Sequence, residues 1–183
     1  MLCIEGVVFG GELIGSMFWG PLADKYGRRF SFMMACVMIT TFGLLSGLAP
    51  NYESLLIFRA IVGFGVGGLT VPFDLLAEFL PTSHRGSFLL YIEYFWTLGS
   101  LFVAGMAWII LNNSGWRVLT FITIVPVLLS SIGCVLYLPE SPRWLLEKGR
   151  VEEAEKIVRD AAIINGTNIG KSSIHVFIRK YKT

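Results

Sequence analysis

Long runs of apolar residues dominate the first three quarters of the chain. Two of them, at residues 30–52 and 118–139, hold no charged residue at all. About 20 apolar residues are enough to cross the hydrocarbon core of a bilayer as a helix. Three more runs have this length, although each carries a few charges. The pattern predicts an all-α integral membrane protein with five transmembrane helices, at about 4–22, 30–49, 55–78, 87–111 and 118–138.

Composition and charge narrow the class of protein. The 183 residues are 54% hydrophobic and only 15% charged, whereas soluble proteins are about a quarter charged. The formal net charge is +2, and no Lys/Arg cluster alternates with aromatic residues. These features exclude a water-soluble enzyme, a disordered protein and a nucleic-acid binder. The three cysteines lie in apolar runs without CxxC spacing, so we expect no disulfide framework, no metal site and no cofactor.

The distribution of basic residues predicts the orientation of this multi-pass membrane protein. Lys and Arg are concentrated in the turn at 23–29 and after residue 139. By the positive-inside rule these segments face the cytoplasm, which places the N-terminus outside and the C-terminus inside. Ser141, followed by a proline, is typical of a helix start. We therefore predict short amphipathic cytoplasmic helices over 139–165 and a basic tail over 166–183.

Several charged residues fall inside the predicted spans. An ionised side chain near the bilayer centre costs about 2.5–3.5 kcal/mol on insertion scales. Glu12 and Glu93 lie deep in their helices, Asp74 lies nearer the inner end of the third span, and Arg59 enters that span from the outer side. They could line a cavity that handles a solute or a proton, or they could only hydrogen-bond helices together. Trp96, one turn from Glu93, indicates either a site for an organic cation or core packing.

Small residues and prolines bear on how the helices pack. Gly11 and Gly15 form a GxxxG pattern on the first helix, and Gly63 and Gly67 form another on the third. Such faces let two backbones approach closely. Two prolines within the predicted spans are expected to permit kinks, namely Pro72 and Pro126. The indole ring of tryptophan favours the membrane interface, where three tryptophans are predicted to lie, namely Trp19, Trp116 and Trp144.

Three motifs stand in a recognisable order along the chain. They are GPLADKYGRR at 20–29, RAIVGFGVGG at 59–68 and PESPRW at 139–144. Together they resemble the major facilitator superfamily, near its sugar-porter and organic-ion branches. The stretches AEFLPTSHRG at 77–86 and YIEYFWTLGS at 91–100 are similar to the branch of the synaptic vesicle glycoproteins and their related proteins.

The resemblance implies a fold and roles for the matching residues. The chain would correspond to helices two to six of a twelve-helix fold, in which two halves rock around a central solute site. Gly20 would allow close packing, Gly27 a sharp turn, and Asp24 would face a helix N-terminus of the other half. Arg59 begins the second motif. The charges that match the cytoplasmic gate of the family are Arg28, Arg29, Glu78, Arg85, Glu140 and Arg143. The alternative is a static set of surface ion pairs.

These features predict part of a secondary active transporter for a small organic solute, either an organic ion or a sugar-like molecule. A proton or cation would be the coupling partner, with Glu12, Asp74, Glu93 and Trp96 as candidate solute or proton residues. The lipid bilayer is the surrounding partner, and the second half of the fold, or a full-length relative, is the expected protein partner. The alternative is a non-transporting membrane scaffold or regulatory fragment that associates with a full-length carrier. An enzyme is not expected, because no HExxH motif occurs and neither histidine falls at membrane depth.

Overall fold

The computed structural model describes residues 2–80, 85–111 and 114–166. Within these ranges the secondary structure is helical and contains no strand, which confirms the predicted all-α class. The α-helices are α1 (Leu2–Tyr26), α2 (Arg28–Gly47), α3 (Tyr52–Val66), α4 (Thr70–Phe79), α5 (Arg85–Leu111), α6 (Gly115–Tyr137), α7 (Pro142–Glu147) and α8 (Val151–Ile164). The predicted basic tail at 166–183 lies almost wholly outside the described residues.

Four segments of the described chain are long and apolar enough to cross a membrane. They are α2, the combined span Tyr52–Phe79, most of α5, and α6. The predicted count of five apolar crossings is therefore wrong by one. The segment that fails is α1, which has 25 residues and so sufficient length. Its apolar residues are offset by Glu5, Glu12 and several glycines, which lower its hydropathy.

The helix directions follow from contacts between neighbouring helices. Ala35 of α2 lies beside Gly68, and the rings of Phe42 and Phe58 lie 6.2 Å apart, so α2 runs antiparallel to the third span. Gly43 and Ile124 make a similar contact on the other side of α2, against α6. Helix α2 therefore lies between α3 and α6, while α5 packs mainly against α6.

A seam of glycines joins α1 to α3. A Cβ atom at Gly11 would overlap the carbonyl of Ala60, and a Cβ at Gly63 would overlap the carbonyl of Val8. The two helices run parallel and meet backbone to backbone, as the GxxxG patterns predict. Because α1 lies along a membrane-length span in this way, it belongs to the same bundle in spite of its lower hydropathy.

The third span is not a continuous α-helix. Helix α3 ends at Val66, a 3₁₀ segment covers Gly67–Leu69, and α4 begins at Thr70. Pro72 has no N–H and cannot bond to the carbonyl four residues earlier, so the irregularity that the sequence predicts at this proline is observed just before it. Pro126, in contrast, lies inside α6 without interrupting it.

The packed core of the bundle lies beside this 3₁₀ segment. Trp19 is only 2% exposed and packs with Ala23, Ala35 and Val71. The location of Trp19 near a membrane interface stays a prediction, and the structure shows in addition that its ring is buried among protein side chains. Its ring is enclosed because α1 packs directly on the third span, and a position near the end of a hydrophobic run does not reveal such contacts.

Helix α7 begins as the sequence predicts. The Oγ atom of Ser141 accepts a hydrogen bond of 3.1 Å from the backbone N–H of Trp144, which caps the helix N-terminus. Helix α8 follows after a short turn and packs against α7, with Ala154 and Ala162 buried. The short helices predicted over 139–165 are thus present, and they gather at the end of the bundle where α1, α4 and α6 end.

Candidate functional site

One guanidinium group connects three helices at this end of the bundle. Arg28, at the start of α2, forms ion pairs with Asp24 of α1 at 3.4 Å and with Asp74 of α4 at 3.0 Å. Its Nε atom also lies 3.3 Å from Oε1 of Glu78, likewise on α4. We call these four residues the Arg28 cluster. Their positions lie up to 54 residues apart in sequence and are brought together by the packing of α1 and α4 against α2.

The members of the Arg28 cluster differ in their exposure to solvent. The side chains of Arg28 and Glu78 are 18% and 13% exposed, whereas those of Asp24 and Asp74 are 71% and 64% exposed. Exposed ion pairs contribute about 0–1 kcal/mol, because water and salt screen them. The pair between Arg28 and Glu78 is therefore the one whose separation would leave a poorly solvated charge.

Glu140 caps the N-terminus of α2 from a distant part of the chain. Its Oε1 atom accepts hydrogen bonds from the backbone N–H groups of Arg28 at 2.9 Å and of Arg29 at 3.0 Å. It also accepts one of 3.0 Å from the N–H of Ser141. The N-cap residue Gly27 offers no side-chain acceptor, so this carboxylate satisfies the free N–H groups and complements the helix dipole.

The turn at Gly27 is adapted to this cap. Its φ angle of 110° lies in a region that residues with a side chain rarely adopt. A Cβ atom at this position would also collide with the carboxylate of Glu140. The sharp turn that the resemblance assigns to Gly27 is thus observed, and it is coupled to the position of Glu140.

Ser141 and Trp144 connect α7 to the Arg28 cluster. The Oγ atom of Ser141 donates a hydrogen bond to Glu78, and Ser141 is fully buried. The indole N–H of Trp144 donates to the backbone carbonyl of Asp24 at 2.9 Å. From the sequence, Ser141 is expected only as a helix cap and Trp144 only as an interface residue. Ser141 directly follows Glu140 in the PESPRW motif. This position next to a predicted gate charge is the feature of the sequence that could have indicated a further role of Ser141.

Two other predicted gate cations, Arg29 and Arg143, do not join the cluster. Arg29 donates to the carbonyl of Val135 near the end of α6, at 2.9 Å, and so binds a helix terminus. Arg143 pairs at 3.3 Å with Glu147 on its own helix, and both side chains are 58% exposed. The side chain of Arg85 lies outside the described residues. Among the predicted gate charges, the structure brings Arg28, Glu78 and Glu140 together. Asp24 and Asp74, which were not predicted as gate charges, also pair with Arg28.

Two charged residues lie along the α1–α3 pair without a partner among the described residues. Glu12 and Arg59 are both half-buried, and neither forms an ion pair there. An apolar groove of about 450 Å³ lies between α1, α2 and α3, lined by Ile14, Met38 and Ile61 among others. Neither charged residue lines this groove. The helical positions of Glu12 and Arg59 place them on the opposite side of the glycine seam.

Helix α5 presents two different faces. Glu93, Thr97 and Ser100 follow one another at helical spacing and form a polar stripe. The hydroxyl of Thr97 donates to the carbonyl of Glu93 at 3.0 Å, and that of Ser100 donates to Trp96. Trp96 is 64% exposed and lies beside this stripe, one turn after Glu93.

The other face of α5 carries a ladder of aromatic rings. The rings of Phe88 and Tyr91 lie 6.0 Å apart, and those of Tyr91 and Tyr94 lie 6.5 Å apart. A membrane helix that is aromatic on one face and polar on the other directs its polar face towards protein or water. The structure thus separates Glu93 and Trp96 from Tyr94, which the sequence places beside them.

Two further predicted site residues are Asp74 and Gly20. Asp74, predicted as a candidate solute or proton residue or as a residue that bonds helices together, forms an ion pair with Arg28. No described atom would lie within 4 Å of a Cβ placed on Gly20, so the close packing that the resemblance implies at Gly20 stays a prediction.

The apolar helices and the charge cluster at one end define a multi-pass integral membrane protein. The family model described as "Sugar (and other) transporter" matches residues 1–182, and the chain belongs to this family. The match confirms the resemblance to the major facilitator superfamily that the three motifs indicated.

Individual relatives agree with this assignment. "Organic cation/carnitine transporter 7" of Arabidopsis thaliana is 40% identical over 168 residues, which cover 91% of this chain and 33% of that protein. "Synaptic vesicle 2-related protein" of Xenopus laevis is 37% identical over 163 residues, covering 89% and 30%. The inward-open xylose transporter XylE from E. coli superimposes with a TM-score of 0.80 at 25% identity, covering 98% of this chain and 44% of that one. The chain therefore spans about a third of the length of these curated relatives.

Proposed function

We propose that the chain forms part of a secondary active transporter that moves a small organic solute across a membrane by alternating access. The Arg28 cluster is the observation that carries this proposal. It joins α1, α2 and α4 at one end of the bundle through charges, in addition to the apolar core that the three helices share. Membership of a transporter family supports the same conclusion.

The cluster has the properties of a gate. Two of its ion pairs are exposed and hence weak, so water can replace them when the helices separate. The third, between Arg28 and Glu78, is shielded and further held by Ser141. A gate needs such a combination, because it must close in one geometry and open at a modest cost. Since Lys25, Arg28 and Arg29 are basic, we place this end of the bundle on the cytoplasmic side.

The membrane-depth residues suggest the class of solute. Glu93 and the exposed ring of Trp96 lie one turn apart on α5, and an acid beside an aromatic ring suits an organic cation. Glu12, half-buried and unpaired among the described residues, suits the binding of a coupling proton or cation. Transport of this kind is non-covalent, so we propose no enzymatic step.

Uptake measurements in membrane vesicles from cells that express the protein would test the proposal. Radiolabelled tetraethylammonium, carnitine and xylose serve as probes. The wild type should take up at least one of them, and Glu78→Gln should reduce that uptake severalfold, because the shielded partner of Arg28 loses its charge. Glu147→Gln is the matched control, since Glu147 is an exposed acid in a pair within α7, and it should transport like the wild type.

The same vesicles test the solute class. Glu93→Gln should reduce the uptake of tetraethylammonium and leave that of xylose unchanged. Equal uptake by the wild type, Glu78→Gln and Glu93→Gln would contradict the assigned roles. Absence of uptake of every probe, combined with co-purification of a full-length carrier, would favour the non-transporting scaffold.

A further inference from the structure

A single side chain of α1 binds the third span where that span changes its helical form. The indole N–H of Trp19 donates a hydrogen bond of 2.8 Å to the carbonyl of Phe64. Trp19 is 2% exposed, and its ring centroid lies 5.7 Å from that of Phe64. Gly68 makes room for the indole, because a Cβ atom there would lie 3.1 Å from the ring and 2.8 Å from Cβ of Ala35.

The indole of Trp19 supplies a hydrogen-bond donor to the backbone carbonyl of Phe64, near the end of α3. At the end of α3 the backbone N–H groups donate to the carbonyls of Gly63 and Gly65. Neither of these two bonds goes to the carbonyl of Phe64, which lies between them where the chain enters the 3₁₀ segment Gly67–Leu69. An unpaired carbonyl in the interior is costly. The indole N–H of Trp19 supplies the missing donor and thereby stabilises the 3₁₀ form.

The 3₁₀ segment determines which face α4 presents. A 3₁₀ helix turns 120° per residue and an α-helix turns 100°, so three 3₁₀ residues advance the following helix by about 60°. Side-chain atoms lie about 5–6 Å from a helix axis, and a rotation of about 60° moves them by about the same distance. Asp74 and Glu78, at 3.0 Å and 3.3 Å from Arg28, would lose their ion pairs after such a rotation.

We propose that Trp19 is a positioning residue for the gate. By holding the carbonyl of Phe64 it fixes the 3₁₀ segment, and the segment directs Asp74 and Glu78 towards Arg28. The role as part of a gate rests on the proposed function. Trp19 is thus more than a packing residue, since it acts on the Arg28 cluster through the geometry of α4.

A double-mutant cycle separates positioning from packing. Trp19→Phe keeps an aromatic ring but removes the N–H donor together with part of the buried indole, and Arg28→Met removes the cation of the cluster. We expect Arg28→Met to lower the thermal midpoint of the protein in nanodiscs by several degrees in the wild-type background, and by at most half as much in the Trp19→Phe background. The control is Trp108→Phe, because Trp108 is 82% exposed on α5, and its effect should add to that of Arg28→Met. Additive midpoints for Trp19→Phe and Arg28→Met would overturn the proposal.

Cysteine labelling gives a second readout with a predicted sign. If the 3₁₀ segment became α-helical, its additional rotation of about 60° would be lost. Helix α4 would then turn back about its own axis, which carries Phe79 towards the face now occupied by Leu75. In a background without native cysteines, Phe79→Cys should therefore react severalfold more slowly with a maleimide when Trp19→Phe is added. Unchanged or faster labelling would contradict a rotation of α4. The reaction is performed in membranes before extraction, so it reports even on a variant that does not survive purification.

The two proposals fail in different ways. If the protein took up no probe, the proposed function would be refuted. Non-additive thermal midpoints of Trp19→Phe and Arg28→Met in the same protein would still support the geometric role of Trp19. Additive midpoints in a protein with normal uptake would refute the role of Trp19 alone.

Discussion

Replacement of Glu140 by alanine removes the acceptor of three backbone N–H groups at once. The donors are those of Arg28, Arg29 and Ser141. Two of them belong to the first turn of α2, which has no side-chain cap of its own. The substitution therefore leaves the start of α2 without its acceptor and its compensating negative charge.

The expected magnitude follows from these contacts. A hydrogen bond to a charged group contributes about 1.5–3 kcal/mol, and a charge at a helix N-terminus adds about 0.3–1 kcal/mol. The three donors share one oxygen atom, and Glu140 is only half-buried, so water takes over part of the loss. We expect Glu140→Ala to reduce the free energy of unfolding by about 2–4 kcal/mol, and Glu140→Gln by about 1 kcal/mol, since a neutral acceptor is roughly half as strong.

Unfolding by SDS in mixed micelles, followed by circular dichroism, measures these differences. Glu147→Ala is the control, because Glu147 is an exposed acid of α7 that pairs only with Arg143 among the described residues. It should change the free energy of unfolding by less than about 0.5 kcal/mol. If Glu140→Ala changed stability no more than Glu147→Ala, the assignment of Glu140 as the cap of α2 would be refuted.

Two further predictions concern glycines and use the same unfolding measurement. Gly15→Leu should destabilise the bundle by about 1–3 kcal/mol or more, because a side chain at Gly15 would meet the backbone of Phe64. Gly99→Leu on α5 is the control and should be neutral, since nothing lies within 4 Å of a Cβ placed there. Equal effects of the two changes would argue against the α1–α3 seam. Gly27→Ala should cost about 1–3 kcal/mol, because φ 110° and ψ 150° lie in a region that only glycine adopts readily. In a protein that already carries Glu140→Ala the same substitution should cost less, because both changes disturb the same cap.

Local features of this chain could be predicted from the sequence, and contacts between distant segments could not. Ser141 was recognisable as a helix cap because its partner lies three residues away. The GxxxG patterns of α1 and α3 also predicted close packing, since glycines four residues apart lie on one face of a helix. In contrast, the hydrogen bond from Trp19 to the carbonyl of Phe64 joins residues 45 positions apart, which no local pattern indicates.

The candidate site shows the same division. The motifs identified Arg28, Glu78 and Glu140 as related charges, but spacing alone could not say that Glu140 binds backbone N–H groups 111 and 112 residues away. For Asp74, a charge in an apolar run, the sequence left open a solute or proton cavity and a role in bonding helices together. Its position one turn before Glu78 places both acids on the face that meets Arg28, and only the packing of α4 against α2 reveals this.

The glycine seam also has a mechanical consequence. Backbone meets backbone at the glycines of α1 and α3, so at these points there is no side chain that could change rotamer and allow one helix to slide along the other. The pair must behave as a single stiff rod during any rearrangement of the bundle. Displacement has to be taken up elsewhere, and α5, only 6% of whose membrane segment is buried among the described residues, is the element with the least resistance to moving.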